Sequence, residues 1–299
     1  MGTASTVILD GGMGRELQRT GAPFRQPEWS ALALIEAPQA VEAVHAAYIA
    51  SGANVITSNS YAVVPFHIGE ARFAAEGQAL AALAGELAQR AVRASGKAVR
   101  VAGSLPPLFG SYRPDLFEAE RVNELLTPLV TGLAPHVDLW LAETQSSIIE
   151  ARSIRAGLPQ DGKPFWLSFT LKDEDTDEVP RLRSGEPVAE AAAVAAELGV
   201  ETLLFNCSQP EVIGAAIDAA RDTFERLGVQ IHIGAYANAF PPQPKEATAN
   251  DGLDPLRDDL DPPGYLHWAQ DWQQRGASHL GGCCGIGPEH IAVLAEKLG

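Results

Sequence analysis

Three cysteines are the residues best equipped for chemistry in this 299-residue chain. One stands alone in Phe205-Asn206-Cys207-Ser208, and two are adjacent in Gly281-Gly282-Cys283-Cys284-Gly285. Thiolates act as nucleophiles, redox partners or metal ligands, and count and spacing narrow the choice. An odd count argues against a disulfide framework, and no Cys-x-x-Cys pair marks a redox motif. A redox bond between Cys283 and Cys284 is one alternative, and burial as small apolar side chains is another. If the three converge, they fill three corners of a tetrahedron, the geometry zinc takes with sulfur, and leave the fourth for a substrate. The flanking glycines let the backbone turn both adjacent cysteines toward one ion. The seven histidines form no His-x-His or His-Glu-x-x-His pattern, so a hydrolytic metal site is unsupported. His45 and His67 read as helix or loop residues rather than ligands.

Convergence depends on the elements that carry the cysteines. Apolar runs at 7–12, 54–61, 99–105, 139–144, 165–171, 202–208, 230–238 and 279–285 read as buried parallel strands. Between them lie stretches with helical spacing: 38–52, 79–95, 118–135, 147–157, 187–199, 210–228, 264–276 and 288–298. Several begin at proline and several end on glycine, as helix termini prefer. Eight strands alternating with eight helices predict an α/β fold, a (β/α)8 TIM barrel occupying 1–299 as one domain. The rival, an open doubly wound sheet, lacks its phosphate-binding glycine fingerprint after the first strand. In a barrel, Cys207 ends strand six and Cys283 and Cys284 end strand eight. All three then fall at the C-terminal face of the strands, where barrel active sites lie. Two long polar connections, 172–186 and 240–263, leave the same face and are lid candidates or plain insertions.

Composition bounds the partners. A net charge of −16 offers no basic surface for nucleic acid. No apolar run reaches the length of a membrane span, and no secretion signal is visible, so the expected compartment is the cytoplasm.

The chain resembles the homocysteine S-methyltransferase family, which includes the betaine– and S-methylmethionine–homocysteine methyltransferases. The resemblance rests on Leu9-Asp10-Gly11-Gly12, on the stretch from Gly52 to Tyr61, on Glu143-Thr144, on Asn206-Cys207 and on Gly281-Gly282-Cys283-Cys284-Gly285. It implies that Cys207, Cys283 and Cys284 hold Zn2+ and that the homocysteine thiol takes the open position. The activated sulfur then attacks the methyl group of a small cationic donor, giving methionine.

The resemblance also assigns the amino-acid end of homocysteine. Asp10 and Glu143, both at strand ends on the catalytic face, are expected to hold its ammonium, the alternative being that each pairs with an internal Arg. Backbone N–H groups near Gly11 and Gly12, with the hydroxyls of Ser58 and Ser60, are candidates to receive its carboxylate, and the two serines read equally as strand-end caps. Asn238, in Tyr236-Ala237-Asn238, matches an asparagine of some relatives and is a substrate-side or zinc-side candidate, or a turn cap. On the donor side, Trp29 and Tyr61, with Tyr112 and Phe240, offer aromatic faces to an onium methyl. Gly103-Ser104-Leu105-Pro106-Pro107 departs from the Gly-Pro-Tyr-Gly form of the S-methylmethionine enzymes, which leaves S-methylmethionine, S-adenosylmethionine and betaine all open. The sequence ends after helix eight, without the extension that helps betaine enzymes to oligomerise, so a tetramer is not expected and monomer or dimer stays open. A zinc- or thiol-binding barrel without transferase activity, and a redox dithiol protein, are the rival readings.

Overall fold

Eight parallel strands make one sheet: β1 (Val7–Ile8), β2 (Val55–Thr57), β3 (Arg100–Leu105), β4 (Leu139–Gln145), β5 (Phe165–Phe169), β6 (Thr202–Asn206), β7 (His232–Tyr236) and β8 (His279–Leu280). The computed structural model describes residues 6–173, 179–242 and 255–299. The strand order is β1-β8-β7-β6-β5-β4-β3-β2, and a parallel bridge from Leu9 to Val55 joins the two ends into a ring. Asn54 fastens that seam, accepting from Ile8 N through its Oδ1 at 2.8 Å and donating its own N–H to Ile8 O at 2.7 Å. This is the (β/α)8 barrel that the alternating pattern predicts.

Helices fill the connections: α1 (Met13–Arg19), α2 (Ser30–Glu36), α3 (Pro38–Ala50), α4 (Pro65–Ile68), α5 (Glu70–Ser95), α6 (Val122–Leu133), α7 (Ile148–Gly157), α8 (Val188–Glu197), α9 (Pro210–Leu227), α10 (Pro262–Gln274) and α11 (Pro288–Leu298). Proline stands in the first turn of α3, α4, α9, α10 and α11, where its missing N–H has no partner to lose. Gly96 and Gly228 close α5 and α9 in left-handed conformations. No helix among the described residues is long and apolar enough to cross a membrane.

The core has two layers. Apolar helix faces pack on the outside of the sheet. Inside the ring, Leu9, Val55, Ala102, Leu139, Leu141, Trp166, Leu204 and Tyr236 form a separate cluster. Strand side chains alternate in and out, so the inward residue after each of these apolar positions lies nearer the C-terminal rim. Thr57, Ser104, Glu143, Ser168 and Asn206 occupy those positions, and the apolar plug ends in a polar ring.

The connection at 172–186 is fastened where it is described. Leu171 bridges Leu182 in antiparallel fashion, Lys172 N donates to Arg181 O at 2.9 Å, and Ser184 N donates to Ser146 O at 3.0 Å. Arg183 and Asp173 form a buried ion pair at 2.8 Å beneath it. The described part of this connection is therefore hydrogen-bonded to the barrel rim. The middle of that connection and residues 243–254 lie outside the described residues.

Candidate functional site

The residues that leave β1, β2, β4, β6 and β8 line one cavity at the C-terminal rim. Its wall includes Asp10, Gly12, Trp29, Tyr61, Glu143 and all three cysteines. The approach of the β1 and β8 loops requires glycine. A Cβ on Gly12 would sit 2.5 Å from the Cys283 carbonyl oxygen, and one on Gly11 would clash with the Ile286 carbonyl. Tyr48 Oη, 3.1 Å from both Gly12 O and Ile286 O, clamps the two loops together. Cys283 N donates to Ala237 O at 2.8 Å, which seats the cysteine loop on the end of β7.

Cys207 and Cys283 bring their sulfurs together with Cα atoms 5.8 Å apart, within the range a disulfide needs, across 76 residues of sequence, and Cys284 stands free beside them. The close pair is therefore Cys207 with Cys283, from the ends of β6 and β8, and not the adjacent Cys283 and Cys284. In this arrangement no trio of His, Cys, Asp or Glu side chains among the described residues is disposed around one point. As thiols the three stand on one cavity wall, a soft donor set that fits zinc. Burial pushes the Cys284 thiol up to about 11, more than the charge of Arg15 draws it down, so it holds its proton near neutral pH.

The two predicted carboxylates are both here. Asp10 accepts from Thr57 N at 2.8 Å and from Thr57 Oγ1 at 3.2 Å. Glu143 accepts from Ser104 Oγ and, at 3.2 Å, from Tyr236 Oη. Neither forms an ion pair among the described residues. Burial is the main reason that Asp10 is raised to about 7, with the charge of Glu143 adding to it. Burial likewise raises Glu143 to about 6. Two buried acids without a cation are a receptor for one.

Other predicted residues divide. Ser60 Oγ donates to Ser104 O at 2.8 Å and lies 2.9 Å from Ser58 Oγ, which therefore supplies the proton between them. Both hydroxyl hydrogens are engaged, so these serines brace the ends of β2 and β3 rather than receive a carboxylate. Gly12 N donates to Ile286 O at 3.0 Å and is not open to substrate either. Asn238 is fully buried but does not line the cavity; its Oδ1 accepts from Phe240 N at 3.2 Å, which makes it a turn brace. Trp29, Tyr61, Tyr112 and Phe240 all line the cavity. Guanidinium groups already lie over two of these rings, Arg183 at 4.9 Å from Tyr112 and Arg15 at 5.1 Å from Phe240. Trp29 and Tyr61 are the aromatic faces better suited to a donor cation.

Sequence reasoning passed over several residues of the wall. His67, read as a helix or loop residue, sits in α4 and in the cavity wall, its Nδ1 3.0 Å from Pro27 O. A carbonyl only accepts, so that nitrogen carries hydrogen. Thr57, Ser104 and Tyr236 hold the carboxylates and were findable as the inward polar position at each strand end. The four non-glycine residues with positive φ among those described, Trp29 (48°), Tyr112 (68°), Thr144 (59°) and Cys207 (49°), all line this cavity. Backbone strain is concentrated where the chemistry groups meet.

Comparison with known proteins agrees with this geometry. The homocysteine S-methyltransferase family profile matches residues 7–298. Homocysteine S-methyltransferase 4 of Zea mays is 28% identical over 98% of this chain and 89% of its own length. Homocysteine S-methyltransferase of Escherichia coli is 29% identical over 97% of this chain and 94% of its own. The crystal structure of the homocysteine methyltransferase MmuM from Escherichia coli in its metallated form superposes with a TM-score of 0.76 at 27% identity, covering 99% of this chain and 97% of that one. Its oxidized form gives the same TM-score at 25% identity, with the same coverage.

Proposed function

This chain belongs to the homocysteine S-methyltransferase family, and on that premise we propose that it carries out a zinc-dependent transfer of a methyl group from an onium donor to the homocysteine thiol, giving methionine. The observation that carries the reading is one cavity walled by three cysteines and by two buried carboxylates that no cation neutralises. In the reduced chain Cys207, Cys283 and Cys284 would hold the zinc. Zinc held there supplies acidity to a substrate thiol, which is otherwise protonated near neutral pH.

Asp10 and Glu143 take the ammonium of homocysteine, and their separate anchors on β2, β3 and β7 fix its direction. Trp29 and Tyr61 present ring faces to the positive donor. That positive charge disappears as the methyl leaves, so the site needs no general acid; its work is alignment and charge placement. The described lining residues include two carboxylates and no Lys or Arg, while Arg15 and Arg183 lie over the Phe240 and Tyr112 rings of the wall. A donor with net positive charge, S-methylmethionine or S-adenosylmethionine, therefore suits the cavity better than net-neutral betaine. We place the reaction in the cytoplasm, where thiols stay reduced.

The test is a donor panel. Reduced, zinc-loaded protein is incubated with homocysteine and each of S-methylmethionine, S-adenosylmethionine and betaine, and methionine is measured. Methionine from a sulfonium donor is the expected result. No methionine from any donor would sink the reading and leave a zinc- or thiol-binding barrel.

A further inference from the structure

We propose that Asn206 is a positioning residue that sets the place of Glu143, an inference that rests on Glu143 holding the homocysteine ammonium. Asn206 is fully buried at the end of β6. Its Oδ1 accepts from Thr144 N at 3.1 Å and from Ser168 Oγ at 2.6 Å, and its Nδ2 donates to Thr144 Oγ1 at 2.8 Å. One amide thus grips both the backbone and the side chain of Thr144.

Thr144 needs that grip. It is β-branched and has φ of 59°, a conformation such residues rarely adopt. It is also the residue after Glu143, so its backbone direction fixes where the carboxylate emerges. Glu143 itself is held by Ser104 Oγ and, at 3.2 Å, by Tyr236 Oη. Asn206 turns both its donor and its acceptor on Thr144, so removing it loses more than one buried bond at once.

Asn206→Ala is expected to raise the homocysteine KM by roughly tenfold or more, the loss typical of removing buried hydrogen bonds. The donor KM is expected to change less than the homocysteine KM, and kcat falls less than homocysteine affinity does, because Asn206 bonds Thr144, whose neighbour Glu143 holds the amino-acid end of homocysteine. A purely structural defect would move both KM values and kcat together. Glycine adopts the left-handed conformation without help, so in a Thr144→Gly background the same Asn206→Ala change is expected to alter the homocysteine KM by less than about threefold. If Asn206→Ala does not fold, Thr144→Val removes one of the two grips and keeps the side-chain shape; it is expected to show the same KM pattern, more weakly.

An unchanged homocysteine KM in a folded variant overturns the proposal, and so does an equal loss in both backgrounds. The same cycle read by thermal unfolding needs no substrate. Should the wild-type chain make no methionine, the functional reading falls, and this cycle still decides the clamp: non-additive midpoints support it and additive ones overturn it.

Discussion

Glu143 ties function to a local cost. Its carboxyl is raised to about 6 from an ordinary 4.5, mainly by burial. The folded state therefore binds its proton more readily than the unfolded state, and stability falls as pH rises from about 4.5 through 6. At neutral pH the charged form is held at a cost of about 2 kcal/mol, before any ligand arrives. Glu143→Gln is expected to raise the thermal midpoint at neutral pH while raising the homocysteine KM by roughly 10- to 100-fold, the size of a lost charged hydrogen bond. Denaturation and steady-state kinetics on one preparation check both signs. A variant that loses stability as well as affinity would mean that Glu143 is a scaffold residue. Wild-type homocysteine affinity should also weaken as pH falls through 7 and 6, where Asp10 and then Glu143 take up protons. At this scale the sequence pointed to Asp10 and Glu143 through the family resemblance and to the three sulfurs through their count and strand-end places, and all five side chains line one cavity. It left two roles open for Ser58 and Ser60, carboxylate binding or a strand-end cap, because a polar strand end reads the same until its partners are known; their hydroxyls bond within the chain.

α3 carries a different kind of buried ionisable group. His45 is fully buried, neither ring nitrogen has a hydrogen-bond partner, and burial alone lowers its pKa to about 4. It folds neutral, so its contribution is complete above pH 6.5 and is lost as pH falls toward 4, where the unfolded chain takes up the proton and the folded chain resists it. Near pH 5 this amounts to about 2 kcal/mol. His45→Leu is expected to flatten that acid limb, measured as urea stability at pH 5 and pH 8; an unchanged slope would mean that His45 is not neutral and buried in solution. Elements of this kind were legible from the sequence because parallel strands buried on both faces read as unbroken apolar runs. The same feature stretched β1 and β8. The runs continue through Leu9–Gly12 and Gly281–Gly285, which leave the sheet to build the cavity, so only Val7–Ile8 and His279–Leu280 remain strand. α1 and α2 escaped notice because each has seven residues and neither N-cap, Gly12 or Trp29, makes a side-chain capping bond.

Across the whole molecule, the sulfurs join parts of the chain that sequence keeps far apart. Cys207 leaves β6, Cys283 and Cys284 leave β8, and both strands bond to β7. A zinc ion on the three thiols would tie the last quarter of the barrel together and would bind only the folded arrangement. Mass action then requires stabilisation, about 2.7 kcal/mol when free zinc exceeds its dissociation constant a hundredfold. A Cys207–Cys283 bond, which their proximity allows, would tie the same two strands but remove two donors. The two states exclude each other, and their responses to a chelator should differ. For reduced protein loaded with zinc, the thermal midpoint is expected to drop when a chelator is added, and metal analysis should give one zinc per chain. For oxidised protein the midpoint should not respond to zinc or chelator, and denaturing thiol titration should find one reactive group, Cys284. Replacing any one of the three cysteines with alanine in the reduced chain should remove both the zinc and the chelator response. Full zinc occupancy in Cys284→Ala would show that two sulfurs suffice and that the third thiol has another purpose at the cavity wall.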